Sequence, residues 1–151
     1  MKAFDTVPHN RLVDLLTHYG FKDEVLSWIK DFISDRKQHV SVNGEKSTVF
    51  EATSGVPQGS VLGPFLFVIF INSLVEKVES SEMFLYADDL KIFKDIKSEE
   101  DITALQQDLD NLYDWTRYSC LRFHPDKCVS MRYKSNKRDE KCCYNMTEIH
   151  C

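Results

Sequence analysis

From Pro8 onward the apolar residues Leu12, Leu15, Leu16 and Tyr19 recur at three- and four-residue steps, which predicts a short helix closed by Gly20. Val25, Leu26, Ile29, Phe32 and Ile33 repeat that spacing behind Asp23 and Glu24, whose charge suits a helix N-terminus, so a second amphipathic helix is expected to end near Asp35. The period then shortens. Between His39 and Phe50 the residues Val40, Val42 and Val49 flank Asn43-Gly44, the strongest short signal for a two-residue hairpin turn, and two strands are expected. Residues 54–64 hold three of the five glycines and two of the four prolines, the composition of a loop with unusual backbone angles and close approaches. Leu66 to Val78 reads as an apolar, buried helix. Met83 to Phe93 forms two short apolar runs broken at Ala87-Asp88-Asp89, which predicts a strand, a tight turn and a strand. Ser98, with Asp101 three residues on, opens a helix that carries Ile102, Leu105, Leu109, Leu112 and Trp115 and runs to about Tyr118. Leu121 and Phe123, then Val129 and Met131, on either side of Pro125-Asp126-Lys127, predict a last strand pair. Past Tyr133 the residues are polar and charged with no period, so a frayed tail is expected over 134–151.

Composition changes this picture in three places. A chain of 151 residues with 42% hydrophobic residues has room for one core-bearing domain and excludes a multidomain enzyme. The net charge of −5 excludes a domain whose main task is to coat nucleic acid or an anionic membrane, and the charge is uneven. Residues 81–113 carry three basic and nine acidic side chains, whereas 114–151 carry eight basic and five acidic. Any nucleic-acid contact is therefore expected to be local. The uncharged run Val61 to Ile71 contains Gly63 and Pro64 and falls short of the roughly 20 residues a membrane span takes, so no membrane role is expected. The opening Met-Lys-Ala-Phe-Asp lacks the succession of a signal peptide, which predicts an intracellular protein of nucleus or cytoplasm. Five cysteines make an odd set and are expected as free thiols, and Cys142, Cys143, His150 and Cys151 make a poor tetrahedral zinc set.

The chemistry concentrates in two places. Asp88 and Asp89 are adjacent carboxylates at a turn between apolar strands, where unpaired charge is costly. A solvated hairpin turn is the plain account of such a pair. Hard oxygen ligands at a buried junction suit Mg2+ instead, and a cation held there can bridge phosphates in the manner of polymerases and nucleases. The second place is the Ser54–Gly59 loop before a helix, either a simple connection or a means of bringing backbone N–H groups and the Gln58 amide against a substrate. His9, His18 and His39 are scattered and read as surface or packing residues, so an unrelated metal-dependent nuclease or phosphatase lacks its ligand cluster.

Ala3-Phe4-Asp5, Ser54-Gly55-Val56-Pro57-Gln58-Gly59-Ser60-Val61-Leu62-Gly63-Pro64, Tyr86-Ala87-Asp88-Asp89 and Leu121-Arg122-Phe123-His124-Pro125-Asp126-Lys127 follow one another in this order. Over residues 2–133 the chain resembles the reverse transcriptase palm of jockey-like non-LTR retrotransposons, and Val-Pro-Gln-Gly-Ser with Tyr-Ala-Asp-Asp at this spacing is a specific signature. The resemblance implies an α+β fold, an antiparallel sheet with helices packed on one face, over residues 1–133. It also implies RNA-directed DNA polymerase activity that joins a dNTP to a primer 3′-hydroxyl on an RNA template. Asp88 and Asp89 match the family's metal-binding carboxylates for Mg2+ or Mn2+. Phe4 matches the bulky residue under the sugar of the incoming nucleotide, and Gln58 and Gly59 match the loop beside nucleotide and template. Lys127 matches a basic residue that assists the pyrophosphate leaving group; as a plain residue it is a solvated turn lysine. Asp5 matches a position outside the metal site. The family's first metal-binding Asp matches a position just ahead of Met1, and fingers and thumb have no counterpart here. A truncated palm that is inactive as this fragment is therefore expected, the alternative being a non-catalytic transposon remnant that keeps the fold and binds nucleic acid or protein weakly.

Overall fold

The computed structural model describes residues 3–133. The predicted tail over 134–151, with Cys142, Cys143, His150 and Cys151, lies outside the described residues. The chain divides into two compact units between Ser73 and Leu74.

The first unit opens with a 3-10 turn, Ala3–Asp5, and two amphipathic helices, α1 (His9–His18) and α2 (Asp23–Ile33). Helix α1 ends as its sequence predicts: Tyr19 and Gly20 return their N–H groups to Leu15 and Thr17 carbonyls at 2.9 and 3.0 Å. Four short strands follow, β1 (Arg36–Gln38), β2 (Ser41–Val42), β3 (Glu45–Lys46) and β4 (Phe50–Ala52). They pair as an outer ladder β1–β4 and an inner ladder β2–β3, both antiparallel, where two strands were expected. The inner turn is Asn43-Gly44, both at positive φ (52° and 88°), the sign pattern of a type I′ turn and the reason this dipeptide is so strong a hairpin signal. Helix α3 (Leu62–Asn72) starts four residues earlier than expected, because Pro64 falls in its first turn, where the missing N–H has no intrahelical partner to lose. It is followed after Ser73 by a separate 3-10 turn, Val75–Lys77, instead of running on to Val78. Nor is α3 buried all round: Leu66, Phe67 and Phe70 are buried while Phe65 and Val68 stand about half exposed. The core of this unit is Val7, Leu12, Leu16, Ile29, Ile33, Val56 and the buried side of α3. Side chains of this size stabilise by about 1.5–3 kcal/mol each when fully buried.

The second unit carries the hairpin β5 (Glu82–Tyr86) and β6 (Asp89–Phe93) and the long helix α4 (Glu99–Ser119). Helix α4 begins at the predicted capping box, in which Asp101 Oδ2 accepts the N–H groups of Lys97 and Ser98 at 3.0 Å each. The Lys97 N–H first, then Ser98, hold the Asp101 carboxyl below its usual range. The helix ends on Cys120 in the left-handed region (φ 58°), a position where glycine is the common residue. Leu74, Leu112, Trp115 and Leu121 are the buried apolar residues here, joined by a buried carboxylate, Asp108, at 1% exposure.

Asp108 reaches from α4 to the chain just ahead of β5. It accepts the Glu79 N–H at 2.9 Å, the Ser80 N–H at 3.2 Å and the Ser80 hydroxyl at 2.7 Å. Burial pushes this carboxyl up, but hydrogen bonding from Ser81, Glu79 and Ser80 outweighs it and leaves the group below its ordinary value. Ser81 Oγ, a buried atom without a hydrogen bond of good geometry, still lies close enough to favour the ionised form.

The predicted last strand pair does not form. Residues 121–133 contain no strand and only a 3-10 turn, Pro125–Lys127. Val129 and Met131 are about three-quarters exposed, so alternation in that segment reports no buried face. Among the described residues the structure is thus a mixture of helices with small antiparallel ladders of two strands each, the coarse α+β class expected.

Candidate active site

In the first unit the loop that follows β4 is bonded back to the start of the chain. Ser54 bridges Pro8, the Gly55 N–H donates to the Val7 carbonyl at 2.8 Å, and the Val56 N–H donates to the Phe4 carbonyl at 2.8 Å. Ser54 Oγ adds a bond to the Asp5 carbonyl at 2.8 Å. The approach is so close that a Cβ on Gly55 would sit 2.7 Å from the Asp5 Cα, and Gly55 is at φ +83°, so glycine is demanded by space and by backbone conformation alike.

The Gly55 carbonyl is held from two further sides. His9 Nε2 lies 2.9 Å from it and Arg36 Nη2 donates to it at 3.0 Å, while Arg36 Nε donates to the Ile33 carbonyl at 3.1 Å. Since a carbonyl only accepts, His9 must carry its proton on Nε2. Neither residue stood out in the sequence: His9 read as a scattered surface or packing histidine, and Arg36 sits at the edge of a short strand. Ser60 completes the loop, donating to the Pro57 carbonyl at 2.7 Å and accepting the Gly63 N–H at 2.9 Å, which ties the loop to the start of α3.

Onto this frame fall three of the expected site residues. Phe4 is half-buried and stacks on Phe67 of α3 with ring centroids 4.1 Å apart and planes at 20°, so one of its faces belongs to packing. Gln58 and Gly59 are exposed at the loop tip, Gly59 at φ +78°. Gln58 Nε2 donates to Asp5 Oδ1 at 2.6 Å.

In the second unit Asp88 and Asp89 sit at the tip of the β5–β6 hairpin. Tyr86 pairs with Asp89, leaving Ala87-Asp88 as a two-residue turn in which Ala87 alone takes a positive φ (52°), the sign pattern of a type II′ turn. Glycine is the ordinary residue there, and alanine in the left-handed region costs about 1–2 kcal/mol. Register places Phe84, Tyr86, Asp89, Lys91 and Phe93 on the more exposed face and Met83, Leu85, Leu90 and Ile92 on the other. Phe84 stacks with Phe93 at 5.3 Å although both remain exposed. Both carboxylates are exposed. The expectation of a buried junction that leaves the pair in need of an offset is therefore not met; water reaches this turn.

Two hard carboxylate donors on adjacent residues, open to solvent, fit the habit of Mg2+ or Mn2+, which is commonly held by one or two carboxylates together with substrate phosphates and water. No group of three or more potential ligands is gathered among the described residues. Lys127 is exposed on its 3-10 turn, where its N–H donates to the His124 carbonyl at 2.9 Å. Among the described residues no helix is long and apolar enough to cross a membrane.

Comparison with known proteins supplies what geometry does not. The family model described as "Reverse transcriptase (RNA-dependent DNA polymerase)" matches residues 1–146. The RNA-directed DNA polymerase from mobile element jockey of Drosophila melanogaster is 33% identical over 140 residues, 87% of this chain and 15% of the relative. The jockey polymerase of Drosophila funebris is 32% identical over 150 residues, 91% of this chain and 16% of the relative. A Pol polyprotein from the type-1 retrotransposable element R2 of Popillia japonica is 27% identical over 142 residues, 86% of this chain and 23% of the relative. The chain thus spans between about a seventh and a quarter of the length of these relatives.

Proposed function

Because this chain belongs to the reverse transcriptase (RNA-dependent DNA polymerase) family, we propose that it is the palm portion of an RNA-directed DNA polymerase of non-LTR retrotransposon type, working in nucleus or cytoplasm. The observation that carries the proposal is the Asp88-Asp89 pair, presented at a two-residue hairpin turn and exposed to solvent. The reaction is attack of a primer 3′-hydroxyl on the α-phosphate of a dNTP paired to an RNA template, with pyrophosphate leaving.

Asp88 and Asp89 hold the divalent cation in this proposal, Mg2+ or Mn2+, which when bound stabilises charge developing on the transferred phosphoryl group. Phe4, with one face fixed on Phe67, offers the rest of its ring to the sugar and excludes a 2′-hydroxyl by bulk. Gln58 and Gly59, at the tip of the pinned loop, contact nucleotide and template. Lys127, exposed on its 3-10 turn, neutralises the departing pyrophosphate. Two carboxylates from one turn do not clamp a pair of ions ~3.5–4 Å apart without a ligand from a second strand. The 151 residues on their own are therefore proposed to be inactive and to need a further carboxylate.

Primer extension on an RNA template tests this. The chain is compared with Asp88→Asn/Asp89→Asn and with a version extended at its N-terminus to restore the family's first Asp. Extension by the lengthened chain alone, abolished by the double Asn change, supports the proposal in full. Extension by the 151 residues overturns the need for a further carboxylate. If the lengthened chain also fails, the polymerase proposal falls for this segment and the non-catalytic alternative stands.

A further inference from the structure

A short side-chain bond in the first unit joins two residues of which only one has a place in the proposed chemistry. Gln58 Nε2 meets Asp5 Oδ1 at 2.6 Å, across 53 positions of sequence. Asp5 was matched to no metal-binding position, and the structure gives it another occupation.

We infer that Asp5 is a positioning residue for Gln58: its carboxylate fixes which end of the Gln58 amide is spent inside the protein and which end is left for a nucleotide. The orientation follows from chemistry. A carboxylate is an acceptor only, so the amide must turn its N–H2 group toward Asp5 and cannot turn its oxygen there. What remains for a ligand is the amide oxygen and the second N–H. A charge-assisted bond is also stronger than a neutral one, which matters for an exposed side chain with three rotatable bonds.

The backbone keeps the two residues in register. Phe4 and Val7 accept from Val56 and Gly55, the Asp5 carbonyl accepts from Ser54 Oγ, and the Gly55 carbonyl is gripped by His9 and Arg36. Three bonds and the close approach at Gly55 hold the 4–7 segment against the 54–56 loop, so the Asp5 side chain meets Gln58 without either segment having to be ordered for the purpose. Asp5 also follows Phe4 directly, which couples the proposed sugar contact and the proposed amide contact through one rigid dipeptide.

The inference rests on the role proposed for Gln58, and its test separates the two. In the 151-residue chain, the Gln58 side-chain amide protons are assigned by comparison with Gln58→Glu in a nitrogen–proton correlation spectrum. The expected result is one downfield-shifted, slowly exchanging amide proton that is lost in Asp5→Ala and kept in Asp5→Asn, whose side-chain oxygen still accepts. In the N-terminally lengthened chain, single-nucleotide incorporation is expected to show KM for dNTP raised about five-fold by Asp5→Ala with kcat within about two-fold, and most of the loss restored by Asp5→Asn. Asp5→Ala is expected to add nothing further in a Gln58→Ala background. An unshifted Gln58 amide overturns the pairing. Effects of Asp5→Ala and Gln58→Ala that multiply, or a fall in kcat at constant KM, overturn the positioning role. If the lengthened chain incorporates no nucleotide, the polymerase reading falls, and the spectrum still decides whether Asp5 orients Gln58.

Discussion

The two regions that carry the candidate residues, one in each unit, are built by opposite means. The Ser54–Ser60 loop is exposed at its tip but bonded at its base, where the Phe4, Asp5 and Val7 carbonyls accept from the loop and His9 and Arg36 hold the Gly55 carbonyl. The Tyr86–Asp89 turn is held by its own two-stranded ladder, with exposed carboxylates and an alanine in a conformation that disfavours alanine. The first region has its geometry written into contacts within its unit. The second keeps a charged tip on a short ribbon, a structure that is marginal in isolation and gains when something binds it. Preorganisation belongs to the part proposed to read the nucleotide, and adaptability to the part proposed to hold ions.

Substitutions at four positions test that contrast, the largest effect first. Gly55→Ala places a methyl group against the Asp5 backbone in a left-handed conformation, and unfolding in urea is expected to show a loss of at least about 3 kcal/mol. A loss below about 1 kcal/mol would mean that the base of the loop is not rigid.

Next comes Asp108→Ala, which strands the Glu79 and Ser80 N–H groups just ahead of β5 and is expected to cost about 2 kcal/mol. The same residue makes a signed prediction for pH. The folded carboxyl lies below its ordinary 3.8, so its contribution is complete above that value and disappears as pH falls through the lowered one. The stability gap between the natural chain and Asp108→Asn should therefore be constant from pH 7 to 5 and narrow towards pH 2.

Smaller effects separate the two hairpins. Gly44→Ala, at the relaxed Asn43-Gly44 turn, should cost about 1 kcal/mol, since it introduces strain that was absent. Ala87→Gly should do the reverse and raise the urea midpoint by the equivalent of about 0.5 kcal/mol, relief of strain being partly offset by a freer unfolded chain. A drop in stability on Ala87→Gly would mean that the tip is not strained, and the contrast between the two regions would lose its sharpest support.

Much of the fold was legible because local chemistry and pattern agreed. The Tyr19-Gly20 helix end, the Asn43-Gly44 turn, the Ser98–Asp101 capping box and the break at Ala87-Asp88 all formed where short-range signals placed them. Sequence and structure part where apolar residues are not buried. Val129 and Met131 alternate yet stand exposed, and the apolar flanks of the Asp88-Asp89 turn lie open on one face. Among the candidate site residues, Gln58 and the aspartate pair are the ones a motif singles out. The groups that orient the loop did not, because His9 and Arg36 act on a backbone carbonyl that no side-chain pattern reveals, and Asp5 acts across 53 positions.

The close approach at Gly55 bears on how this sequence can change in length. Between Ser54 and Val56 each residue is registered against a particular partner, so an inserted or deleted residue would shift Gly55 out of the one position that admits it. No such clamp is seen at Asn43-Gly44, where nothing would crowd a Cβ on the glycine. Drift by insertion and deletion is therefore expected to collect in the β2–β3 turn and to be barred from the loop, and saturation libraries of single-residue indels scored for folding would show it.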